Sequence, residues 1–238
     1  MEKKEIKLSI ILPCYNESEN IPVILEKFSA VMNRPDVEIL FVNNGSSDAS
    51  KDIFSQTIPK YFFAKVIDIK VNQGYGFGIT SGLREAKGEY IGYMHADMQT
   101  DPADPLKALE IIEKQPNPEN CFVKGDRKGR SFVDQFFTIG MSLFETIYLN
   151  TRLWDINAQP NIFHRSFFES IKDNCPKDFS LDLYFLYMAK KKKLNIIRFD
   201  VMFPDRIFGS SNWNTGIVSK WKFIKRTVQF STKLKRGL

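Results

Sequence analysis

The first hundred residues alternate between continuous apolar runs and stretches of helical period, with polar loops between them. Residues 7–12 read as a buried strand, since parallel strands covered on both faces are apolar throughout. Pro13 is expected to end that strand. Ile21, Ile24, Leu25, Phe28 and Met32 then recur at helical spacing. Asn20 is placed to cap that helix, with Pro22 in its first turn. Residues 37–42, 64–71 and 90–94 read as further strands, with helices over 49–56 and from the glycine-rich loop through Arg84. Four β-loop-α units imply a mostly parallel sheet with right-handed crossovers and helices on both faces. In such a sheet the binding site lies along the carboxyl ends of the strands. The second half is less regular: a strand at 121–124, an amphipathic helix over 132–149, a loop over 155–164, a helix over 179–189 and a strand over 196–203. Lys190 to Lys193 read as a solvated helix end.

The fourth strand leads into the richest stretch of the chain, Gly88-Glu-Tyr-Ile-Gly-Tyr-Met-His-Ala-Asp-Met-Gln-Thr-Asp-Pro102. If the backbone stays extended past residue 94, His95, Asp97 and Gln99 point to one face. Three ligating side chains at a strand end suit a site better than a solvated loop does. Asp101 or Asp104, followed by Pro102 or Pro105, suits the cap of the next helix.

Composition changes this picture little. The 238 residues are 43% hydrophobic and 26% charged, as in an ordinary globular domain. No apolar run reaches the roughly 18 residues of a membrane span, and no signal peptide is evident. Cys14, Cys121 and Cys175 lack metal-like spacing and read as ordinary thiols, which suggests the cytoplasm, with the inner face of the membrane as one setting. The net charge of +6 is confined to the tail. From Ser219 onward there are seven cations and no acid, leaving 27 cations against 28 anions elsewhere. Ile217, Trp221, Ile224 and Val228 share a helical face there, so residues 217–238 suit either a peripheral membrane contact or packing on the domain. No nucleic-acid-binding signature accompanies the basic tail.

Several chemistries drop out. Gly74, Gly76, Gly78 and Gly82 have the wrong offset for a dinucleotide fingerprint and follow the third strand instead of the first. Neither a P-loop nor a nucleophile elbow occurs. Taken together, Ile10-Ile-Leu-Pro-Cys-Tyr-Asn-Glu-Ser-Glu-Asn-Ile21, Val42-Asn-Asn-Gly-Ser-Ser-Asp48, Asn72-Gln-Gly-Tyr-Gly76 and His95-Ala-Asp-Met-Gln-Thr-Asp-Pro102 resemble family 2 glycosyltransferases, in particular the dolichyl- or polyprenyl-phosphate mannose and glucose synthases. The likeness covers about residues 6–130 and returns at Gly125-Asp-Arg127, Asp155 and Pro204-Asp-Arg206-Ile-Phe-Gly-Ser-Ser211.

The resemblance implies a GT-A fold in a single domain: a nucleotide-sugar half to about residue 120, an acceptor half to 218, and the basic tail. It implies a UDP- or GDP-linked hexose donor, Mg²⁺ or Mn²⁺, and inversion at the anomeric carbon. Pro13, Tyr15, Glu17, Asn44, Ser46, Gly74, His95, Ala96 and Asp97 would line the nucleotide-sugar site. Asp97 matches the family's metal-binding acid, with Gln99 and His95 beside it. His95 and Asn44 stand where the family commonly has aspartates. His95 is then either a ligand, favouring Mn²⁺, or a hydrogen-bonding group toward ribose or sugar. The acceptor chemistry divides the remaining candidates. A lipid phosphate is already anionic and needs cations, for which Arg127, Arg130 and Arg206 are suited. A saccharide hydroxyl in cell-envelope polysaccharide assembly needs a base, for which Asp182 or Asp155 is the candidate. A polyprenyl-phosphate acceptor is the expectation. The alternatives are a glycan hydroxyl and a nucleotide-sugar-binding protein of weakened activity. The segment Asn157-Ala-Gln-Pro160, after Asp155, takes no role from physical patterns and is a candidate for shaping the acceptor pocket.

Overall fold

The computed structural model describes residues 5–129, 132–204 and 217–237, with backbone alone at 132–137 and 217–223. The four expected units are present: β1 (Leu8–Cys14), α1 (Asn20–Val31), β2 (Val37–Asn44), α2 (Ser50–Thr57), β3 (Ala64–Ile69), α3 (Tyr75–Glu85), β4 (Tyr90–Tyr93) and α4 (Asp104–Glu113). There follow β5 (Cys121–Lys128), α5 (Phe132–Tyr148), β6 (Asn161–His164), α6 (Arg165–Glu169), α7 (Leu181–Lys191), β7 (Asn195–Met202) and α8 (Ile217–Lys235).

All seven strands form one sheet in the order β3-β2-β1-β4-β6-β5-β7. β6 is antiparallel to β4 and β5, while the other neighbours pair in parallel. Two antiparallel steps restore direction, so β5 and β7 run the same way as β1 to β4. The carboxyl ends of six strands and the amino end of β6 therefore share one edge. One core packs α1, α2 and α4 on the sheet through Ile24, Phe28, Phe54 and Leu109. The other packs α3, α6 and α7 through Ile79, Leu83, Phe168 and Phe185. α3 lies very close to the sheet: a Cβ on Gly82 would meet Ile11 Cγ2 at 2.6 Å.

Several expectations are corrected. β1 runs through Pro13 to Cys14, because β4 pairs only with Leu8 to Ile11 and leaves β1 with one neighbour beyond that point. Residues 155–164 are not all loop; the last four form β6, inserted antiparallel between β4 and β5. Its apolar core, Ile162 and Phe163, is too short for periodicity to reveal. Asn20 does not cap α1; it lies inside the helix and its Nδ2 donates to Glu17. Neither Asp101 nor Asp104 is the N-cap of α4, which is Ala103; Asp101 Oδ1 accepts the Ala103 N–H at 2.9 Å. The chain does not stay extended through His95, Asp97 and Gln99. It bends over 96–100 with Met98 at φ +65°, so alternation of faces does not apply there.

The tail resolves toward packing. Thr227, Ser231 and Leu234 of α8 are buried, and Phe230 packs edge-on to Tyr184 at 6.2 Å. Ile217 and Trp221 lie among the residues whose side chains are outside the description. Among the described residues, no helix is long and apolar enough to cross a membrane.

Candidate active site

The predicted nucleotide-sugar residues gather at the shared edge, where three loops are tied to one another. Asn16 N–H donates to Ser46 Oγ at 3.0 Å, and Ser47 N–H returns to Asn16 Oδ1 at 2.8 Å. Ser18 N–H donates to Asp48 at 3.1 Å, Glu17 N–H to Ser50 at 3.1 Å. Burial raises the Asp48 carboxyl, but its bonds from Ser50 and Ser18 outweigh that and hold it below the usual range. Asn16 sits at φ +57°, a left-handed turn that Asn tolerates. These bonds hold the turn that carries Tyr15 and Glu17 against the one that carries Ser46; Tyr15 is 40% exposed, and Pro13 pairs with Val42 in the sheet.

Asn44 ends β2 and is buried. Its Nδ2 donates to the Gly74 carbonyl at 3.0 Å, while its Oδ1 is buried with no hydrogen-bond partner. Gly74 is at φ +110°, and a Cβ there would lie 2.5 Å from the Lys177 carbonyl oxygen. A residue with a side chain is excluded on both counts.

Beyond β4, Asp97 is 4% exposed and accepts the Gln99 N–H at 3.2 Å. Ala96 is buried against the α1 side of the sheet. Gln99 Nε2 donates to the Pro204 carbonyl at 3.0 Å, tying this loop to the end of β7. His95 stands in an aromatic row. Its ring lies 6.3 Å from Tyr75 and edge-on to Phe203 at 6.4 Å, while Tyr75 stacks on Phe179 at 4.6 Å.

The region from β5 to α7 presents charges that are paired and buried. Arg127, at the end of β5, grips Asp155 with its Nε and Nη2, and its backbone N–H adds a third donor at 3.2 Å. Both side chains are under one-tenth exposed. Burial raises the Asp155 carboxyl, but Arg127 outweighs it and holds the group below the usual range. The guanidinium also lies over the Phe203 ring at 5.3 Å. Asp182, in the first turn of α7, takes a 2.8 Å bond from the Tyr93 hydroxyl and longer ones from Asn161, Gln159 and Tyr75 at 3.4 to 3.5 Å. Desolvation and then the Asp182 charge push both phenols well above their usual range. Gln159 is fully buried; Nε2 donates to the Tyr75 hydroxyl and Oε1 has no partner.

Thus His95, two residues before Asp97, leads through Tyr75 to Asp182 and links the loop after β4 to the first turn of α7. Arg130 and Arg206 lie outside the described residues. Sequence reasoning missed Tyr75, Tyr93, Asn161 and Lys124, and singled out Gln159 only as part of the 157–160 segment. Two signals were available: a lysine inside the apolar run of β5, and the polar Asn157-Ala-Gln-Pro160 segment. A surface groove of about 820 Å³ opens at the opposite edge, by Gly88 and Arg165, and contains none of these residues.

Comparison with known proteins gives this site its setting. The family model described as glycosyl transferase family 2 matches residues 9–171. A poly-beta-1,6-N-acetyl-D-glucosamine synthase of Staphylococcus epidermidis is 32% identical over 109 residues, 46% of this chain and 26% of that one. An undecaprenyl-phosphate 4-deoxy-4-formamido-L-arabinose transferase of Yersinia enterocolitica is 30% identical over 113 residues, 45% of this chain and 34% of that one. The chain therefore spans about a quarter to a third of these curated relatives. The fold is shared with mannosyl-3-phosphoglycerate synthase from Rubrobacter xylanophilus (TM-score 0.73, 18% identity, covering 98% of this chain and 76% of that one). It is also shared with glucosyl-3-phosphoglycerate synthase from Mycobacterium tuberculosis, crystallised with Mn²⁺, UDP-glucose and glycerol 3-phosphate (TM-score 0.71, 15% identity, covering 98% and 80%). With the family match spanning more than half its length and the site built at the edge that a nucleotide-binding sheet uses, the chain belongs to glycosyl transferase family 2.

Proposed function

We propose that the protein transfers a hexose from a nucleotide-diphosphate sugar to a polyprenyl phosphate, with inversion, using Asp97 to hold a divalent cation. One observation carries the choice of acceptor: both carboxylates that would serve as a base are already committed. Asp155 is clamped by Arg127, and Asp182 accepts from Tyr93, Asn161, Gln159 and Tyr75. A base must take the acceptor's proton, and each of these would first lose its own donors. A phosphate monoester arrives ionised and makes no such demand. The undecaprenyl-phosphate transferase among the relatives supports the same reading.

Asn44 Oδ1, buried and unpartnered, suits the imide N–H of a uracil or guanine base. Asp97 with the Gln99 amide is a hard-oxygen set, suited to Mg²⁺ or Mn²⁺ when the donor's diphosphate completes the shell. Among the described residues there is no group of three or more His, Cys, Asp or Glu able to hold a metal unaided, so the substrate's oxygens are required. Bound there, the cation would offset charge on the departing nucleotide. His95, held in the aromatic row, is read as a group facing the sugar or ribose. Arg127 meets the acceptor with the Nη1 end of its guanidinium, the end not bonded to Asp155; Arg130 and Arg206 are proposed to join it.

The test is nucleotide release with Mn²⁺ from a panel of UDP- and GDP-sugars, with and without polyprenyl phosphate. Lipid-dependent release is expected. Donor binding with release stimulated by a glycan instead would replace this acceptor, and no donor binding would overturn the enzymatic reading.

A further inference from the structure

Lys124 lies midway along β5 with no exposed surface. A buried ammonium is costly unless each of its protons finds an acceptor. Here Nζ donates to the Ile156 carbonyl at 2.8 Å, to the Ala158 carbonyl, and to Asn161 Oδ1 at 3.0 Å. Three neutral acceptors meet three protons, and all three belong to the connection that leads into β6. The neutral amine has only two protons and would leave one acceptor unmet. That connection carries Asp155 to its clamp on Arg127 and Gln159 to Tyr75. Asn161, the third acceptor, also donates to Asp182 at 3.4 Å.

We propose that Lys124 is a positioning residue, whose ammonium ties the 155–161 connection to β5 and so fixes where Asp155, Arg127 and Gln159 stand around the acceptor. The proposal rests on reading this edge as the acceptor side. A lysine chosen merely to fill the core would be an expensive choice, since methionine fills the same volume without a charge. What methionine lacks is the fork of three donors that holds two carbonyls and one carboxamide in place. Several charges face the ammonium. Asp182 from α7 and Asp155 from the connection favour its charged form, while Arg198 from β7 and Arg127 from β5 oppose it. Burial dominates and pushes the group down to about 7, so its charge changes close to neutrality.

Lys124→Met tests this directly. The expected result is an acceptor KM raised about tenfold or more, with UDP and GDP affinity, measured calorimetrically, within twofold of the parent protein. An unchanged acceptor KM overturns the proposal, as does an equal loss of nucleotide affinity, which would mark a general structural role. Should the variant fail to fold, the parent protein carries the test. Its acceptor KM should rise from pH 6.5 to 8.5 while nucleotide affinity stays level, and a flat acceptor KM overturns the proposal. If polyprenyl phosphate is not the acceptor but a glycan is, the lipid reading falls and the same comparison is made with the glycan. Hydrogen exchange at 155–161 needs no substrate. Faster exchange confined to that segment in Lys124→Met is expected, and unchanged exchange overturns the proposal.

Discussion

The β1–β4 and β5–α7 regions meet along one edge of one sheet, yet they satisfy their polar groups in different ways. From β1 to β4 the loops close on themselves with Asn, Ser and Asp side chains bonding backbone N–H groups, half exposed to water. From β5 to α7 the same edge buries whole charges: Lys124, the Arg127–Asp155 pair and Asp182. Local turns of the first kind are written into short sequence and tolerate change around them. Buried charges of the second kind depend on partners 21 to 107 residues away and fail together when one is removed.

The largest effect should fall on activity alone. Asp97→Asn keeps the shape of a loop whose N–H bond to Gln99 an amide oxygen still accepts, but removes the charge. Transfer should drop about a thousandfold or more, equivalent to roughly 4 kcal/mol of barrier, with thermal stability little changed. Undiminished nucleotide release would sink the metal assignment.

Next, Arg127→Met removes the guanidinium from buried Asp155 and leaves it the backbone N–H of residue 127. Breaking a buried pair in this way costs about 3 to 5 kcal/mol, read by denaturant unfolding. A loss under about 1 kcal/mol would mean that the acceptor half does not depend on its charges as argued.

Glu145 of α5 extends the contrast. It is fully buried, with both carboxylate oxygens meeting Ser231 Oγ at 2.7 to 2.8 Å, and burial pushes it up to about 7 despite that bond. Below the unfolded value, near 4.5, the folded and unfolded chains are both protonated and no penalty arises. As pH rises from there through 7, the unfolded chain ionises first and the folded state loses stability, by on the order of 3 kcal/mol in all. Glu145→Gln should be flat over that window in a comparison of unfolding free energies at pH 5 and pH 7.5. A parallel slope in both proteins would assign the pH dependence elsewhere.

The same division explains what the sequence could reveal. Apolar runs such as Ile10-Ile-Leu12 and Ile39-Leu-Phe-Val42, each followed by a polar loop, specify the parallel half and the edge where Asn44, Gly74 and Asp97 meet. Those signals are local. β6 was hidden because four residues offer no period, and because its place between β4 and β5 is set by cross-chain pairing of Tyr93 with Asn161 and Phe122 with Phe163. Asp182 was legible as a candidate but its neighbours were not: Tyr93 is 89 positions away and Tyr75 is 107. The bend at Met98 defeats the alternation of faces, although His95, Asp97 and Gln99 all lie just past the carboxyl end of β4.

The smallest effect is the control on which the comparison depends. Lys7 and Glu89 form an ion pair at the opposite edge, at 2.6 Å, with side chains 33% and 42% exposed, and Lys7 also lies 5.2 Å from the Tyr90 ring centre. Distance alone would rank this pair with Arg127–Asp155. Water screens it, both side chains give up rotamer freedom to form it, and a partly exposed ammonium over the buried Tyr90 ring adds only about 0.5 to 1 kcal/mol. Lys7→Ala should therefore cost below about 1 kcal/mol in the denaturant measurement used for Arg127→Met, and that difference should narrow little in high salt, because the buried pair is beyond its reach. A loss near 3 kcal/mol at Lys7 would mean that burial is not what separates strong pairs from weak ones, and the distinction between the self-closing loops of β1–β4 and the charge-dependent β5–α7 region would have to be abandoned.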